Sequence, residues 1–331
     1  KPTLTLADLT GSLSSDGKFT SDEATNYTQV FTATDNTGGT GLKSTVAVVK
    51  SGATTVQTLT VTNDLTDGGH VSGNLSGLAD GQYTVEVTST DNAGNTDVKT
   101  QALVIDKTAP TLGLTKLTDT MLTSAEAGAF TQNYTTSDVT SGVASTVAVV
   151  KNASQVVQST ELTTSNGQIK GNLSGLADGT YTIEVTTTDY AGNATKLTSD
   201  PFDIDKTSPS TSPQTVNSIA KGANLNLGFS EAVTKGASGT ISIYTTAGVL
   251  VEAFDVTSNR ITLSSDRKTA TIDPTNDLTI GTSYYATVSA GTFVDLSGNP
   301  IDAIAPNAWK FNAVSVGTSL TIGGIGVNVA D

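Results

Sequence analysis

Apolar and polar residues alternate along most of this chain. Residues 3–6 read Thr-Leu-Thr-Leu, and residues 27–34, 44–50, 56–61, 82–90 and 100–105 either alternate or are rich in Val, Thr and Tyr. A period of two puts successive side chains on opposite faces of a strand, so each run predicts a half-buried β-strand. Gly, Asn, Asp and Ser separate the runs at the spacing of a β-sandwich. No segment sustains a helical period.

The pattern is written twice. Ser44-Thr-Val-Ala-Val-Val-Lys50 recurs at Ser145, 101 residues on, and Gly73-Asn-Leu-Ser-Gly-Leu-Ala-Asp-Gly81 recurs at Gly171, 98 on. Thr20-Ser-Asp-Glu-Ala24 matches residues 123–127, and Asp91-Asn-Ala-Gly-Asn95 matches Asp189-Tyr-Ala-Gly-Asn193. Offsets that drift by a few residues mean loop insertions in one shared fold. Each copy ends on Ile-Asp-Lys-Thr, with Asp106 in the first and Asp205 in the second.

Past Pro209-Ser-Thr-Ser-Pro213, which reads as a short linker, the sequence changes character. Residues 223–229, 240–245, 249–254, 260–263, 269–272, 283–288 and 308–314 read as strands, and Asp295-Leu-Ser-Gly-Asn-Pro300 echoes the repeated loop. The expected fold is all-β: three tandem Ig-like β-sandwich domains in an extended array, at 1–108, 109–208 and 209–314. Residues 315–331 are an extra strand or the start of a further module. Strands of ten to twelve residues would make three domains in line about 110–120 Å long.

Composition narrows the chemistry. The chain has 331 residues, a formal charge of −14, no Cys and one each of His, Met and Trp. That charge argues against nucleic acid or an anionic membrane as partner and leaves room for divalent cations. No apolar run is long enough for a spanning helix, so no membrane insertion is expected. Without Cys there is no disulfide staple, which suits a bacterial surface protein. The chain opens on Lys1 inside a repeat and reads as a fragment of something longer. His70, in a Gly-rich loop, is the only imidazole, so neither a nucleophilic triad nor a zinc site has anything to build on. No enzyme activity is expected, and Trp309 is assigned to a core.

The carboxylates remain. On a sandwich, Asp138, the Asp189 to Asn193 loop and the incoming Asp106 meet at one end of the second repeat. Asp22, Glu23 and Asp80 close the facing end of the first. Repelling carboxylates at a seam need an offset, and Ca2+, a hard cation taking six to eight oxygens, supplies one. The candidate metal ligands are Asp22, Glu23, Asp80, Asp91, Asn95, Asp106, Asp138, Asp189, Asn193, Asp205, Glu231, Asp295 and Asn299. The competing reading is that Asp-x-x-Gly-Asn is simply a good turn. The Asp91 loop, lacking an upstream Asp, should be the weakest site.

Gly77-Leu-Ala-Asp-Gly81, Tyr83-Thr-Val-Glu-Val87, Asp91-Asn-Ala-Gly-Asn95 and Ile105-Asp-Lys-Thr-Ala-Pro110, with their second copies, resemble the tandem bacterial Ig-like domains of giant repetitive, type I-secreted (RTX) surface adhesins. Phe229-Ser-Glu-Ala-Val233, Gly281-Thr-Ser-Tyr-Tyr285 and the Asp295 loop resemble Ig-like modules of bacterial surface and S-layer-type proteins. The resemblance implies an extracellular, cell-surface, calcium-rigidified stalk that supports adhesion or biofilm formation. It would be a monomeric rod whose partners are neighbouring Ig-like domains of the same long chain. Two other readings stay open: a third domain that is a glycan- or peptide-binding module presented by the repeats, its partner a host or microbial surface glycan or protein, or an S-layer lattice.

Overall fold

The computed structural model describes residues 1–9, 17–64, 68–153, 155–157, 162–214 and 218–315, and the backbone of 318–322 and 325–329. It is almost entirely β and forms two compact units. The first comprises residues 1–118, 130–172 and 182–201, the second residues 119–129, 173–181 and 202–331.

In the first unit, one layer runs Thr3–Leu6, Tyr27–Thr34, Gly68–Gly73 and the end of Thr54–Asp64. The other runs from the start of Thr54–Asp64 through Leu42–Ser51, Gly81–Asp91 and Thr96–Ile105 to Lys18–Phe19. Thr54–Asp64 therefore changes layers along its length, a known way to turn a sandwich corner. Alternation does the packing: Tyr27, Gln29 and Phe31 point inward from one strand, Val85 and Val87 from another. Leu4, Phe19, Val49, Leu75, Leu103 and Ile105 complete the core. The second copy repeats the plan, with Thr111–Leu114 against Phe130–Ser137 and Val143–Asn152 paired with Gly179–Asp189 from Thr182 on.

The second unit builds one sheet from Thr211–Pro213, Leu225–Phe229, Thr269–Ile272 and Ile261–Leu263. A five-stranded sheet of Ser218–Ala220, Ile304–Val314, Ser283–Val288, Thr240–Thr245 and Leu250–Asp255 stands with it. Trp309 lies in this core at 2 % exposure, with Phe293, Ile241 and Leu227.

The strands follow the alternation read from the sequence, with four differences. Residues 209–213 are not a free linker, because Thr211–Pro213 pairs antiparallel with Leu227–Phe229. A sheet-edge position tolerates the missing N–H of Pro213. Gly68–Gly73 is a strand rather than a loop, so His70 sits in a ladder opposite Val30 and Thr62; Asp67 lies outside the described residues. Two one-turn helices, Ser21–Thr25 and Ser124–Gly128, open after a capping box. Thr20 and Thr123 are the N-caps, with Glu23 and Glu126 reaching back. Thr-x-x-Glu is the sequence signature of that cap, and one turn is too short to show a period. In the tail, Thr318–Ile322 and Ile325–Val329 form a hairpin.

Candidate metal centres

The loop Asp-x-x-Gly-Asn occurs three times with one construction. Asp91, Asp189 and Asp295 are each about 2 % exposed, and each takes the backbone N–H of the following Asn on Oδ1 (2.8, 2.9 and 2.8 Å). The Asn amide nitrogen donates to Oδ2 of the same Asp (2.8, 2.9 and 2.9 Å). Gly94, Gly192 and Gly298 hold φ of 86°, 104° and 99°, which a side chain would strain. The third loop keeps this geometry although it reads Asp-Leu-Ser-Gly-Asn.

In the second and third loops the Asn has a further partner. Asn193 Nδ2 donates to the Asp106 carbonyl and Asn299 Nδ2 to the Asp205 carbonyl, each at 2.9 Å. The turn reading thus holds for the loop itself. Asn95, Asn193 and Asn299 present amide nitrogens, not oxygens, to the carboxylates, and Asn193 and Asn299 also act as struts that hold the Ile-Asp-Lys-Thr boundary.

Three carboxylates converge at each of two places. In the first unit, oxygens of Asp106, Asp138 and Asp189 all lie within 4.8 Å of one another; in the second unit, so do those of Asp205, Glu231 and Asp295. Each oxygen pair within 4.8 Å implies a repulsion of about 3 kcal/mol or more at an effective dielectric constant near 20. Backbone donors offset part of this. Asp138 Oδ1 accepts the N–H groups of Thr140, Ser141 and Gly142 at 3.1, 2.9 and 2.8 Å. Ser141 N–H also reaches Asp106 Oδ2 at 3.0 Å, and Gly192 N–H donates to Asp189 Oδ1 at 2.7 Å.

Ser141, between Asp106 and Asp138, has a buried hydroxyl oxygen with no hydrogen-bond partner. In the second cluster a serine of the loop itself, Ser297, which stands at the position of Ala191, donates to Asp205 Oδ2 at 2.9 Å. Burial, then the negative charges of Asp205 and Asp295, push the Glu231 carboxyl above its ordinary range. Three carboxylates and, at the first cluster, a hydroxyl oxygen are donors of the kind that a hard divalent cation takes.

The first copy differs. Asp35 stands where the second copy has Asp138 and accepts the Gly41 N–H on Oδ2 at 2.8 Å. Lys1 Nζ is 3.5 Å from Asp97. The side-chain bond from Asn95 is the largest of the causes that hold the Asp91 carboxyl below its usual value.

Three expected ligands lie elsewhere. Asp22 is exposed on the first short helix, and the Glu23 carboxylate accepts the N–H and hydroxyl of Thr20 at 2.9 and 3.0 Å. Asp80 accepts the Lys107 N–H and the Thr108 hydroxyl at 3.2 and 2.5 Å. Asp178 does the same for Lys206 and Thr207. Lys107 Nζ donates to the Ser76 and Leu78 carbonyls, and Lys206 Nζ to those of Ser174 and Leu176. The two repeated stretches, Gly-Leu-Ala-Asp-Gly and Asp-Lys-Thr, are therefore halves of one clamp. Sequence reasoning missed Lys107, Lys206, Asp35 and Ser141. Asp35 was reachable, since it precedes Asp138 by the same 103 residues that separate Thr20 from Thr123.

Residues 198–313 match the family Big_5, bacterial Ig-like domain. No curated protein matches the sequence. Among solved structures, a Ca2+-stabilized adhesin of an ice-binding Antarctic bacterium is 19% identical, aligned over 96% of this chain and 75% of its own, with a TM-score of 0.40. A 1.5-MDa bacterial ice-binding adhesin gives 16%, 96%, 98% and 0.41 in the same order. Titin domains I67–I69 give 11%, 90%, 94% and 0.43. Among the described residues, no helix is long and apolar enough to cross a membrane.

Proposed function

We propose that this chain is a non-catalytic, structural section of a bacterial cell-surface adhesin, and that Ca2+ fastens its Ig-like repeats. The observation that carries the reading is the pair of three-carboxylate clusters. Each brings the terminal Asp of one repeat (Asp106 or Asp205) to the buried Asp of the following loop (Asp189 or Asp295), with Asp138 or Glu231 completing it. The division at 1–108, 109–208 and 209–314 belongs to this proposal, with each ion joining two domains.

Calcium would be held by these carboxylates, with the Ser141 hydroxyl and water filling remaining positions. Its binding relieves the mutual repulsion and ties the boundary strand to the next domain. Extracellular modules bind calcium with dissociation constants on the order of 10⁻⁴ to 10⁻³ M. At ten times that constant each site would add about 1.4 kcal/mol, enough to stiffen a seam but not to make a fold. An extended, stiffened section of this kind gives reach to an adhesive tip and supports attachment or biofilm growth outside the cell.

Small-angle scattering of the chain in calcium and after chelation tests the stiffening. A profile that broadens on chelation and recovers with calcium is expected. Identical profiles in both conditions would refute calcium rigidification and leave the fold untouched.

A further inference from the structure

Beside the first carboxylate cluster lies a second contact that involves no ion. In the first unit, Lys18 Nζ sits 3.8 Å from the centroid of the Tyr190 ring. Lys18 is on the two-residue strand Lys18–Phe19, which runs parallel to Val104 and Ile105 two residues ahead of the capping Thr20. Tyr190 follows Asp189 in the loop. A Cβ on Gly192, two residues further, would lie 3.8 Å from Thr20 Cγ2, so loop and cap are in close apposition.

The second unit repeats the placement with different side chains. Met121–Leu122 pairs parallel with Asp203 and Ile204, as Lys18–Phe19 does with Val104 and Ile105. A Cβ on Gly298 would lie 3.5 Å from Thr123 Cγ2. Met121 therefore holds the position of Lys18, and Leu296 that of Tyr190. Tyr190 and Leu296 are each 52 % exposed despite their size. Where the first seam has a cation and an aromatic ring, the second has two flexible apolar side chains.

The first loop supplies a contrast. Its residue at this position, Asn92, turns back on its own domain and donates to the Thr40 and Gly41 carbonyls at 2.8 and 3.1 Å. The backbone is anchored alike in the first two loops, Asn92 N–H to Gly41 O and Tyr190 N–H to Gly142 O. Only the side chain varies.

We propose that the residue after the loop Asp is a matching residue: it reads the residue two before the capping Thr of the repeat ahead, and so specifies, without an ion, which repeat seats on which. Tyr190 takes a cationic partner through its ring face. Leu296 takes an apolar one. Exchanging one member alone sets an ammonium against an aliphatic chain, or an aromatic face against a side chain without charge.

The test is a double-mutant cycle on the full 331-residue chain in EDTA, read by native-state hydrogen exchange of the Lys18, Phe19 and Tyr190 amides and by NMR of the Lys18 ε-methylene. K18M and Y190L should each weaken the first seam about two- to five-fold, the range of an exposed cation–π contact. The double variant K18M/Y190L, which installs the second seam's pair, should recover most of that loss, and Y190F should behave as wild type. In the wild type the Lys18 ε-protons should be shifted upfield by the ring, and Y190L should abolish the shift. Additive effects of the two substitutions, or unshifted Lys18 ε-protons, would overturn the proposal. Because everything is measured without calcium, failure here is separate from failure of the calcium reading.

Discussion

The two copies differ at one buried site in a way that sets up an internal experiment. In the first, the Tyr27 hydroxyl donates to Gln29 Oε1 at 2.8 Å, and Gln29 Nε2 donates to the Ala7 carbonyl at 3.0 Å. The second copy has Phe130 and Gln132 at the same positions. Gln132 Nε2 still finds a carbonyl, that of Thr115 at 3.0 Å, but its Oε1 is buried with no partner. A buried acceptor without a donor costs about 1–3 kcal/mol, and a typical internal hydrogen bond returns about 1 kcal/mol. Phe130→Tyr supplies the missing donor at a position where the sister repeat accommodates the hydroxyl, so it should stabilise the second repeat by about 1 kcal/mol. Tyr27→Phe should destabilise the first by about 1–2 kcal/mol. A chain of several domains does not unfold in one step, so native-state hydrogen exchange is the suitable assay. Amides on the Phe130–Ser137 strand should exchange about five-fold more slowly in Phe130→Tyr. Exchange unchanged by either substitution would refute the claim that the Gln132 oxygen is an energetic defect.

Three other outcomes follow from the site. Thr20→Ala and Thr123→Ala each remove a capping box and should cost about 1 kcal/mol, seen as faster native-state hydrogen exchange at the short helix concerned with no change in calcium affinity. The raised Glu231 carboxyl means that the ion-free folded state holds a proton the unfolded chain has lost. Stability in EDTA should therefore fall as pH rises from the ordinary Glu value to the raised one, then level off. Glu231→Gln should remove that component, and a pH profile identical to wild type would contradict it. Lys107→Met leaves the Ser76 and Leu78 carbonyls without their donor. It should speed exchange at the first boundary while the equivalent Lys206 boundary keeps its wild-type rate.

Much of this architecture was legible because a period of two is strong when one face is buried. The pattern in Gly81–Asp91 puts Val85, Val87 and Asp91 inside, and alternation alone predicts it. What escaped were elements whose signal is not periodic. Lys18–Phe19 and Met121–Leu122 are two residues long and exist through their parallel partners. Thr211–Pro213 looked like punctuation, because Pro and Ser are read as breakers until a neighbouring edge is known. For the site, Asp106, Asp138 and Asp189 were placed together by counting which loops share one end of a sandwich. The same counting put Asp22, Glu23 and Asp80 at the facing end, but not what occupies them: Glu23 caps a helix and Asp80 holds the Lys107 boundary. Loop composition also could not say which end of an Asn amide faces inward.

Calorimetric titration of calcium into the chelated chain, wild type against Asp106→Asn with Asp205→Asn, tests the central claim most directly. Saturable binding with a dissociation constant on the order of 10⁻⁴ to 10⁻³ M in the wild type, lost in the double variant, is predicted. Absence of binding, or binding that survives both substitutions, would contradict calcium at the two carboxylate clusters.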